Sequence, residues 1–137
     1  MSILIRVEWY MIKIIDDSLE NFNKDIAGKT LYVFGAGRRL VHLCETLRLN
    51  EQIVAIIDNN KLLWNTSFVF QGSKIPIINV EQFASLVDKQ ALDEIVLLIT
   101  PAFYAWKIVE QLDEQECLDG LRCYMDELVN LQLGYVS

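Results

Sequence analysis

Two glycines are the residues of this chain best placed to bind an anion. Gly35 and Gly37 stand one residue apart, directly after the apolar run 31–34. Without a Cβ atom, glycine lets the backbone turn sharply and approach a phosphate group closely. A helix beginning at this point would direct free N–H groups and the positive end of its dipole toward that anion. The pattern predicts phosphate binding, and a tight strand-to-helix turn without a ligand is the alternative.

An acidic residue follows the glycines at the distance of a ribose contact. Asp58 lies 21 residues after Gly37 and closes a second apolar run, 53–57. In dinucleotide-binding units, an Asp or Glu about 20 residues beyond the glycines accepts hydrogen bonds from ribose hydroxyls. The alternative is a plain turn at 58–60, because Asp and Asn side chains hydrogen-bond their own backbone in turns. The glycine fingerprint is incomplete, since its third position holds Leu40.

Further polar residues extend this candidate site. Arg38 could neutralise a phosphate at the helix start, and Asn59 adjoins Asp58. Thr100 and Pro101 are typical of a helix N-cap and first helical residue, so a helix is predicted to begin directly after the strand that they follow. Because parallel strands end at a common edge, these residues are predicted to meet there. The predicted binding residues are Gly35, Ala36, Gly37, Arg38, Asp58, Asn59 and Thr100.

Residues for catalysis or metal binding do not form a recognisable set. His42 is the only histidine, and a single histidine on a helix is usually a surface residue. No Ser/His/Asp set and no Tyr-x-x-x-Lys pair occurs, and adjacent carboxylates diverge on a helix or strand. Three cysteines without a CxxC spacing indicate neither a disulfide framework nor a zinc site. The sequence therefore predicts no catalytic residue and no metal ligand.

Charge and hydropathy exclude two classes of partner. The 137 residues carry a net charge of −7 and no basic run, which argues against nucleic acid. The longest hydrophobic stretch, 3–15, is interrupted by three charged residues and is no membrane span of ~20 apolar residues. It also lacks signal-peptide features, so a cytoplasmic location is predicted.

A hydrophobic content of 53% predicts apolar surface that meets a second copy or an attached domain.

The elements that must position the site alternate between strands and helices. Apolar runs predict strands at 31–34, 53–57, 75–78, 95–99 and 121–125, with a short hairpin before the third. Helical spacing predicts helices after Gly37, over 80–87 and after Pro101, the last with Ala105, Ile108, Val109 and Leu112 buried. The pattern predicts a three-layer α/β fold with a parallel sheet of about five strands, ordered 3-2-1-4-5. Phe103, Tyr104 and Trp106 fall partly outside the buried stripe, where they could flank a base or sugar or be covered by another part of the protein.

Residues 1–29 are predicted to form an N-terminal helical arm, and residues 30–137 the nucleotide-binding domain. The stretch 3–15 fits both a helical stripe and strand alternation, and helix is the favoured interpretation. A second helix over 19–26, capped by Asp17 or Ser18, should end at Gly28. The arm is predicted to pack on the flank of the domain or to form a dimer contact.

The order of these motifs resembles a known family. They are the Tyr-Val-Phe-Gly-Ala-Gly run at 32–37, Ile-Ile-Asp-Asn-Asn at 56–60, Trp64, and the segments 72–77 and 95–100. Together they resemble the Rossmann-like domains of bacterial surface-polysaccharide biosynthesis proteins. Such domains accompany nucleotide-sugar dehydratases and epimerases, sugar acyltransferases, methyltransferases and glycosyltransferases. The resemblance covers residues 30–115.

This resemblance implies a nucleotide ligand, either NAD or a nucleotide sugar of the UDP-sugar type. Residues 35–37 would form the phosphate turn, Asp58 would face a ribose or sugar hydroxyl, and Thr100 would lie beside the ligand. Asp58 disfavours a 2′-phosphate, which favours NAD over NADP. The implied protein has no catalytic residues of its own and works as a homo-oligomer or with an attached catalytic domain. The alternative is an interaction module that keeps the fold and binds no ligand.

Overall fold

A computed structural model describes residues 10–15, 19–101 and 103–125 of the chain. These residues form a seven-stranded sheet and four α-helices. The strands are β1 (Lys13–Ile15), β2 (Thr30–Phe34), β3 (Ile53–Ile57), β4 (Ser67–Phe70), β5 (Ser73–Ile78), β6 (Ile95–Ile99) and β7 (Arg122–Met125). The helices are α1 (Leu19–Ala27), α2 (Arg38–Leu47), α3 (Val80–Asp88) and α4 (Ala105–Asp113). Across these ranges, no helix combines the length and the apolar character needed to cross a membrane.

The strands lie in the order β1-β7-β6-β2-β3-β5-β4, and every neighbouring pair is parallel except β4 with β5. The predicted α/β class with a mostly parallel sheet is therefore confirmed. The predicted count of about five strands was too low, because β1 and β4 extend the sheet at its two edges. The predicted hairpin is β4–β5, closed by Gln71 and Gly72 with φ angles of 44° and 85°. Positive φ at both turn residues is the geometry that suits the twist of a two-residue hairpin.

Part of the predicted helical arm is a strand. Residues 13–15 pair with β7, and the Lys13 N–H donates to the Leu121 carbonyl at 2.7 Å. Strand alternation prevails over the helical stripe here because β7 would otherwise expose unpaired backbone groups at the sheet edge. The predicted helix over 19–26 matches α1, whereas its proposed caps, Asp17 and Ser18, and residues 1–9 lie outside the described residues.

Two apolar cores cover the two faces of the sheet. Leu31 and Val33 of β2 belong to one core, and Tyr32 and Phe34 belong to the other, as strand alternation requires. The first core is completed by α1 and α2, and the second by α3 and α4. The buried residues of α4 are Ala105, Ile108, Val109 and Leu112, as predicted. The layers are thus helices, sheet and helices, with the central strands buried on both faces.

One residue of β3 departs from strand alternation. Leu31 pairs with Ile53, but Tyr32 pairs with Ala55, so Val54 has no partner on β2. This β-bulge leaves the Val54 side chain half exposed, at 50%. After the bulge, successive side chains of β3 again lie on opposite faces of the sheet. The bulge therefore determines on which face each of these side chains lies, up to the end of β3 beside the candidate site.

A buried carboxylate links α1 to β7. Asp25 accepts hydrogen bonds from Arg122 at 2.7 and 3.1 Å and from the Tyr124 hydroxyl at 2.9 Å, and it pairs with Lys29 at 2.8 Å. Burial by itself would raise the pKa of Asp25, but the hydrogen bonds from Lys29, Arg122 and Tyr124 outweigh it and lower that pKa. Burial, followed by the hydrogen bond to Asp25, raises the pKa of Tyr124 to about 12.

Replacing Asp25 with asparagine is expected to lower the free energy of unfolding by about 2 kcal/mol at neutral pH, because hydrogen bonds to a charged group contribute about 1.5–3 kcal/mol. The lowered pKa of Asp25 means that its carboxylate stabilises the fold above the ordinary value of 3.8, and that this contribution is lost as pH falls through the folded-state pKa. Urea denaturation should therefore show wild type and Asp25→Asn converging below about pH 4. The raised pKa of Tyr124 acts oppositely, and its contribution is lost as pH rises from 10.0 through about 12.

The matched control is Glu20→Gln on the same helix. Glu20 pairs with Lys24 at 3.1 Å, but both side chains are at least 70% exposed. Exposed pairs contribute little, and the expected change is below about 0.5 kcal/mol. Equal stabilities of wild type and Asp25→Asn at neutral pH would show that the buried network does not hold α1 to β7.

Candidate functional site

The candidate site lies where three adjacent strands end. In the register of the sheet, Phe34 at the end of β2 pairs with Ile57 of β3 on one side and with Ile99 of β6 on the other. The residues that follow these strands, Gly35, Asp58 and Thr100, are therefore neighbours at the carboxyl edge. The glycine turn and the carboxylate that the sequence predicted to converge do so.

Gly35 is required by the fold. Its φ is +109°, a conformation that side chains with a Cβ rarely adopt, and its N–H donates to the Ile57 carbonyl at 2.7 Å. A Cβ atom at this position would overlap the Thr100 hydroxyl oxygen and lie 3.0 Å from two ring carbons of Pro101. The first glycine is thus explained by packing, whether or not a phosphate binds.

Thr100 lies behind the turn, without capping a helix. Its hydroxyl donates to the Phe34 carbonyl at 2.9 Å, and the residue is 3% exposed. The prediction that α4 begins at Pro101 was wrong, because α4 begins at Ala105, after an N-cap at Tyr104 whose side chain does not cap the helix. Thr100 is not at the capping position, because α4 begins five residues later and has Tyr104 as its N-cap.

Gly37 differs from Gly35 in its backbone conformation and in the space around its Cβ position. Its φ is −94°, which any residue can adopt, and a Cβ atom there would meet nothing within 4 Å. Gly37 is the N-cap of α2, and no side chain caps this helix. Ordinary packing therefore gives no reason for glycine here, and the space beside the start of α2 is open. Arg38 is exposed at the first position of the helix.

The carboxylate of Asp58 is held by backbone N–H groups. Its Oδ2 accepts from Ala36 N–H at 2.9 Å, and its Oδ1 accepts from Asn60 N–H at 2.8 Å. The Trp64 indole donates to the Asp58 carbonyl at 2.7 Å, which fixes the main chain of the same residue. Asp58 therefore forms the predicted turn, and it also reaches the glycine loop.

A cavity of about 310 Å³ opens beside this carboxylate. Its walls come from the ends of β2 and β3, from the segment that leads into α4 and from α4 itself. They are formed by Phe34, Gly35, Asp58, Asn59, Pro101, Tyr104, Lys107, Ile108 and Gln111. Of the predicted site residues, Gly35, Asp58 and Asn59 line the cavity, whereas Ala36, Gly37, Arg38 and Thr100 surround the turn next to it.

Two carboxamide side chains on the cavity wall form reciprocal hydrogen bonds. Asn59 Nδ2 donates to Gln111 Oε1 at 2.8 Å, and Gln111 Nε2 donates to Asn59 Oδ1 at 3.0 Å. This reciprocal pair, the amide pair, links the loop after β3 to α4.

Sequence reasoning missed the contribution of α4 to the cavity. Lys107 and Gln111 were not predicted, although Tyr104, Lys107, Ile108 and Gln111 have the spacing i, i+3, i+4 and i+7 of one helix face. That spacing was the available signal. Of the three aromatic residues near this helix, Tyr104 lines the cavity and Trp106 stacks on Tyr10 with ring centroids 6.1 Å apart. Phe103 is almost fully exposed.

The cavity wall carries groups that can bind a polar or charged ligand. Asp58 and Lys107 supply one negative and one positive charge, and the amide pair supplies neutral donors and acceptors. Within residues 10–15, 19–101 and 103–125, no group of three His, Cys, Asp or Glu side chains is arranged to hold a metal ion. The cavity wall contains neither cysteine, serine nor histidine that could act as a nucleophile or imidazole base.

No family model, curated protein or solved structure matches this chain. Fold and site define it as an α/β protein with a mostly parallel sheet and a cavity at the carboxyl edge of its central strands.

Proposed function

We propose that this chain is a Rossmann-like domain that binds a nucleotide, either NAD or a nucleotide sugar, without a catalytic apparatus of its own. The observation that carries the proposal is the position of the cavity, at the carboxyl ends of β2 and β3 beside the glycine turn. In open α/β sheets, ligands bind in the crevice outside the carboxyl ends, where successive crossovers go in opposite directions. The direction changes at β2. The chain passes from β2 to β3 and β5 on one side, and β6 and β7 then lie on the other side of β2.

Asp58 is suited to receive the ribose. A carboxylate offers about four lone-pair sites, and the N–H groups of Ala36 and Asn60 use two of them. The remaining sites can accept two hydroxyl hydrogens, as a vicinal diol presents them. Because backbone groups already fix the carboxylate, little conformational entropy is lost when a diol binds.

The start of α2 is suited to receive the phosphate. The helix has ten residues, and its first N–H groups receive no side-chain cap at Gly37. Open space beside Gly37 lets a phosphate approach these groups, and Arg38 adds a positive charge next to them. A nucleotide would thus extend from the cavity, past Asp58, to the beginning of α2.

The size of the cavity supports a domain that acts together with another unit. A volume of about 310 Å³ is at the lower end of the range for ligand sites, about 300–1,000 Å³. The second half of NAD, or the sugar of a nucleotide sugar, would extend beyond it. An attached catalytic domain or a second copy would act on that part, as the resemblance to polysaccharide-biosynthesis domains implies.

A ligand-free interaction module is the second candidate, and two observations favour it. The Ala36 N–H, which could hold a phosphate, is already bonded to Asp58. Phe103 and Leu62 are exposed at 96% and 87%, and a partner that covers them would bury two large apolar side chains.

Thermal unfolding with NAD, UDP-sugars and related nucleotides separates the two candidates. We expect at least one nucleotide to raise the unfolding temperature of the wild type, because a ligand that binds only the folded state stabilises it. Asp58→Asn removes the charge that receives the hydroxyls and should weaken the affinity about tenfold, equal to about 1.4 kcal/mol. The affinity of each variant is measured by isothermal titration calorimetry.

The control is Asp93→Asn, the same substitution at an exposed residue just before β6, at the amino edge of the sheet. It should leave the affinity unchanged. If no nucleotide shifts the unfolding temperature and sedimentation shows a concentration-dependent dimer, the interaction module replaces the binding domain.

A further inference from the structure

We infer that the amide pair, Asn59 with Gln111, determines which base of a nucleotide the cavity prefers. This inference rests on the proposed function. It goes further by identifying the residues that distinguish one nucleotide from another.

The apolar walls of the cavity favour a flat ring. Phe34, Pro101 and Ile108 supply apolar surface, and the Tyr104 ring stands among them at the start of α4. A nucleobase buries two broad faces against such side chains, and its stacking on aromatic rings contributes to binding for every base. A sugar ring carries hydroxyl groups that this surface would leave without partners. The apolar part of the cavity therefore suits the base better than the sugar.

The amide pair supplies the polar edge that a base requires. Each carboxamide has two N–H donors and an oxygen with two lone pairs, and the reciprocal bonds use one N–H and one lone pair of each. One donor and one acceptor therefore remain on Asn59 and on Gln111, both of which line the cavity. Adjacent donors and acceptors complement base edges, as when Asn or Gln binds adenine through two hydrogen bonds.

The chain places this edge next to the ribose site. Asn59 follows Asp58 directly, so their Cα atoms are about 3.8 Å apart. A base is bonded to its ribose, and a diol at Asp58 therefore brings the base next to Asn59. The phosphate, on the opposite side of the ribose, then points toward α2. One orientation of the nucleotide satisfies the three sites.

The test compares ligands that share ribose 5-phosphate and differ only in the base. Calorimetric titration of the full chain with AMP, GMP, CMP, UMP and ribose 5-phosphate gives the contribution of each base. We expect the preferred nucleotide to bind at least about tenfold more tightly than ribose 5-phosphate, and the four nucleotides to differ among themselves by about tenfold or more.

Two variants test the amide pair. Gln111→Met keeps the length of the side chain and removes its polar atoms, and Asn59→Ala removes the other carboxamide. Either should reduce the spread among the four nucleotides to about threefold and leave the affinity for ribose 5-phosphate within about twofold of wild type. Gln115→Met, the same substitution just after α4 and outside the cavity wall, should preserve the wild-type spread.

The possible results separate this inference from the proposed function. If ribose 5-phosphate binds as tightly as the nucleotides, the base does not occupy the cavity and the inference is overturned, while phosphate and ribose binding remain. An unchanged spread in both Gln111→Met and Asn59→Ala also overturns it. If neither nucleotides nor ribose 5-phosphate bind, the proposed function fails and the inference fails with it.

Discussion

Gly35→Ala is expected to lower the free energy of unfolding by about 4 kcal/mol, which is a large part of the stability of a small domain. The φ of +109° would cost an alanine about 1–3 kcal/mol, because its Cβ atom disfavours this backbone region. The added Cβ would also overlap the Thr100 hydroxyl and displace it from the Phe34 carbonyl. Loss of that buried hydrogen bond contributes a further ~1–3 kcal/mol. Urea denaturation followed by circular dichroism measures the sum.

Gly37→Ala is the control for this prediction, since it makes the same change two residues away. Gly37 has a negative φ and open space at its Cβ position, and its substitution should cost less than about 1 kcal/mol, mainly through a poorer N-cap. Similar losses for both variants would mean that the tight contact of Gly35 with Thr100 and Pro101 does not contribute to stability.

These two glycines show what a sequence motif leaves undetermined. Gly35 and Gly37 were indistinguishable in the sequence, where both served as phosphate-turn residues. The difference arises from Thr100, which is 65 residues from Gly35 along the chain and packs against that glycine only after β2 and β6 have paired. A local pattern cannot contain that contact. It predicted the location of the turn, and the tertiary structure determines the role of each glycine.

The same distinction between local and distant information explains which elements could be predicted. The strand at 53–57 and the buried stripe of α4 follow from nearby residues, because a strand or helix face that is buried must be apolar along its own length. The edge strand β1 depends on unpaired backbone groups of β7, about 110 residues later in the chain. Its three residues carry too weak an alternation to indicate a strand by themselves.

The candidate site was predicted where it follows strand ends and missed where it depends on α4. Asp58 was found because it closes an apolar strand at a characteristic distance from the glycines. Gln111 belongs to the amide pair with Asn59, but 52 residues separate them and a carboxamide on a helix is ordinary in a sequence. The predicted start of α4 at Pro101 placed the helix too early, and its cavity-lining face remained unassigned.

Gly37→Asp is expected to make the protein more stable and to weaken nucleotide binding at least about 100-fold, a change of about 2.7 kcal/mol. Gly37 already has the extended backbone of an N-cap, and an aspartate there can accept hydrogen bonds from the uncapped N–H groups of α2. Its charge also interacts favourably with the helix dipole, and together these effects should add about 0.5–1 kcal/mol to the free energy of unfolding. The same carboxylate would occupy the N–H groups proposed for the phosphate and repel its charge.

The two expected changes in Gly37→Asp have opposite signs, and this makes the prediction informative. A variant that loses binding because it is damaged also loses stability, whereas this variant should lose binding while its unfolding midpoint rises. Gly28→Asp adds the same charge beyond the end of α1, at a position where a Cβ atom also meets nothing, and it should bind nucleotides as the wild type does. If Gly37→Asp retains wild-type affinity in calorimetric titrations, the phosphate does not lie at the start of α2. The ligand would then have to be held by the cavity and Asp58 alone.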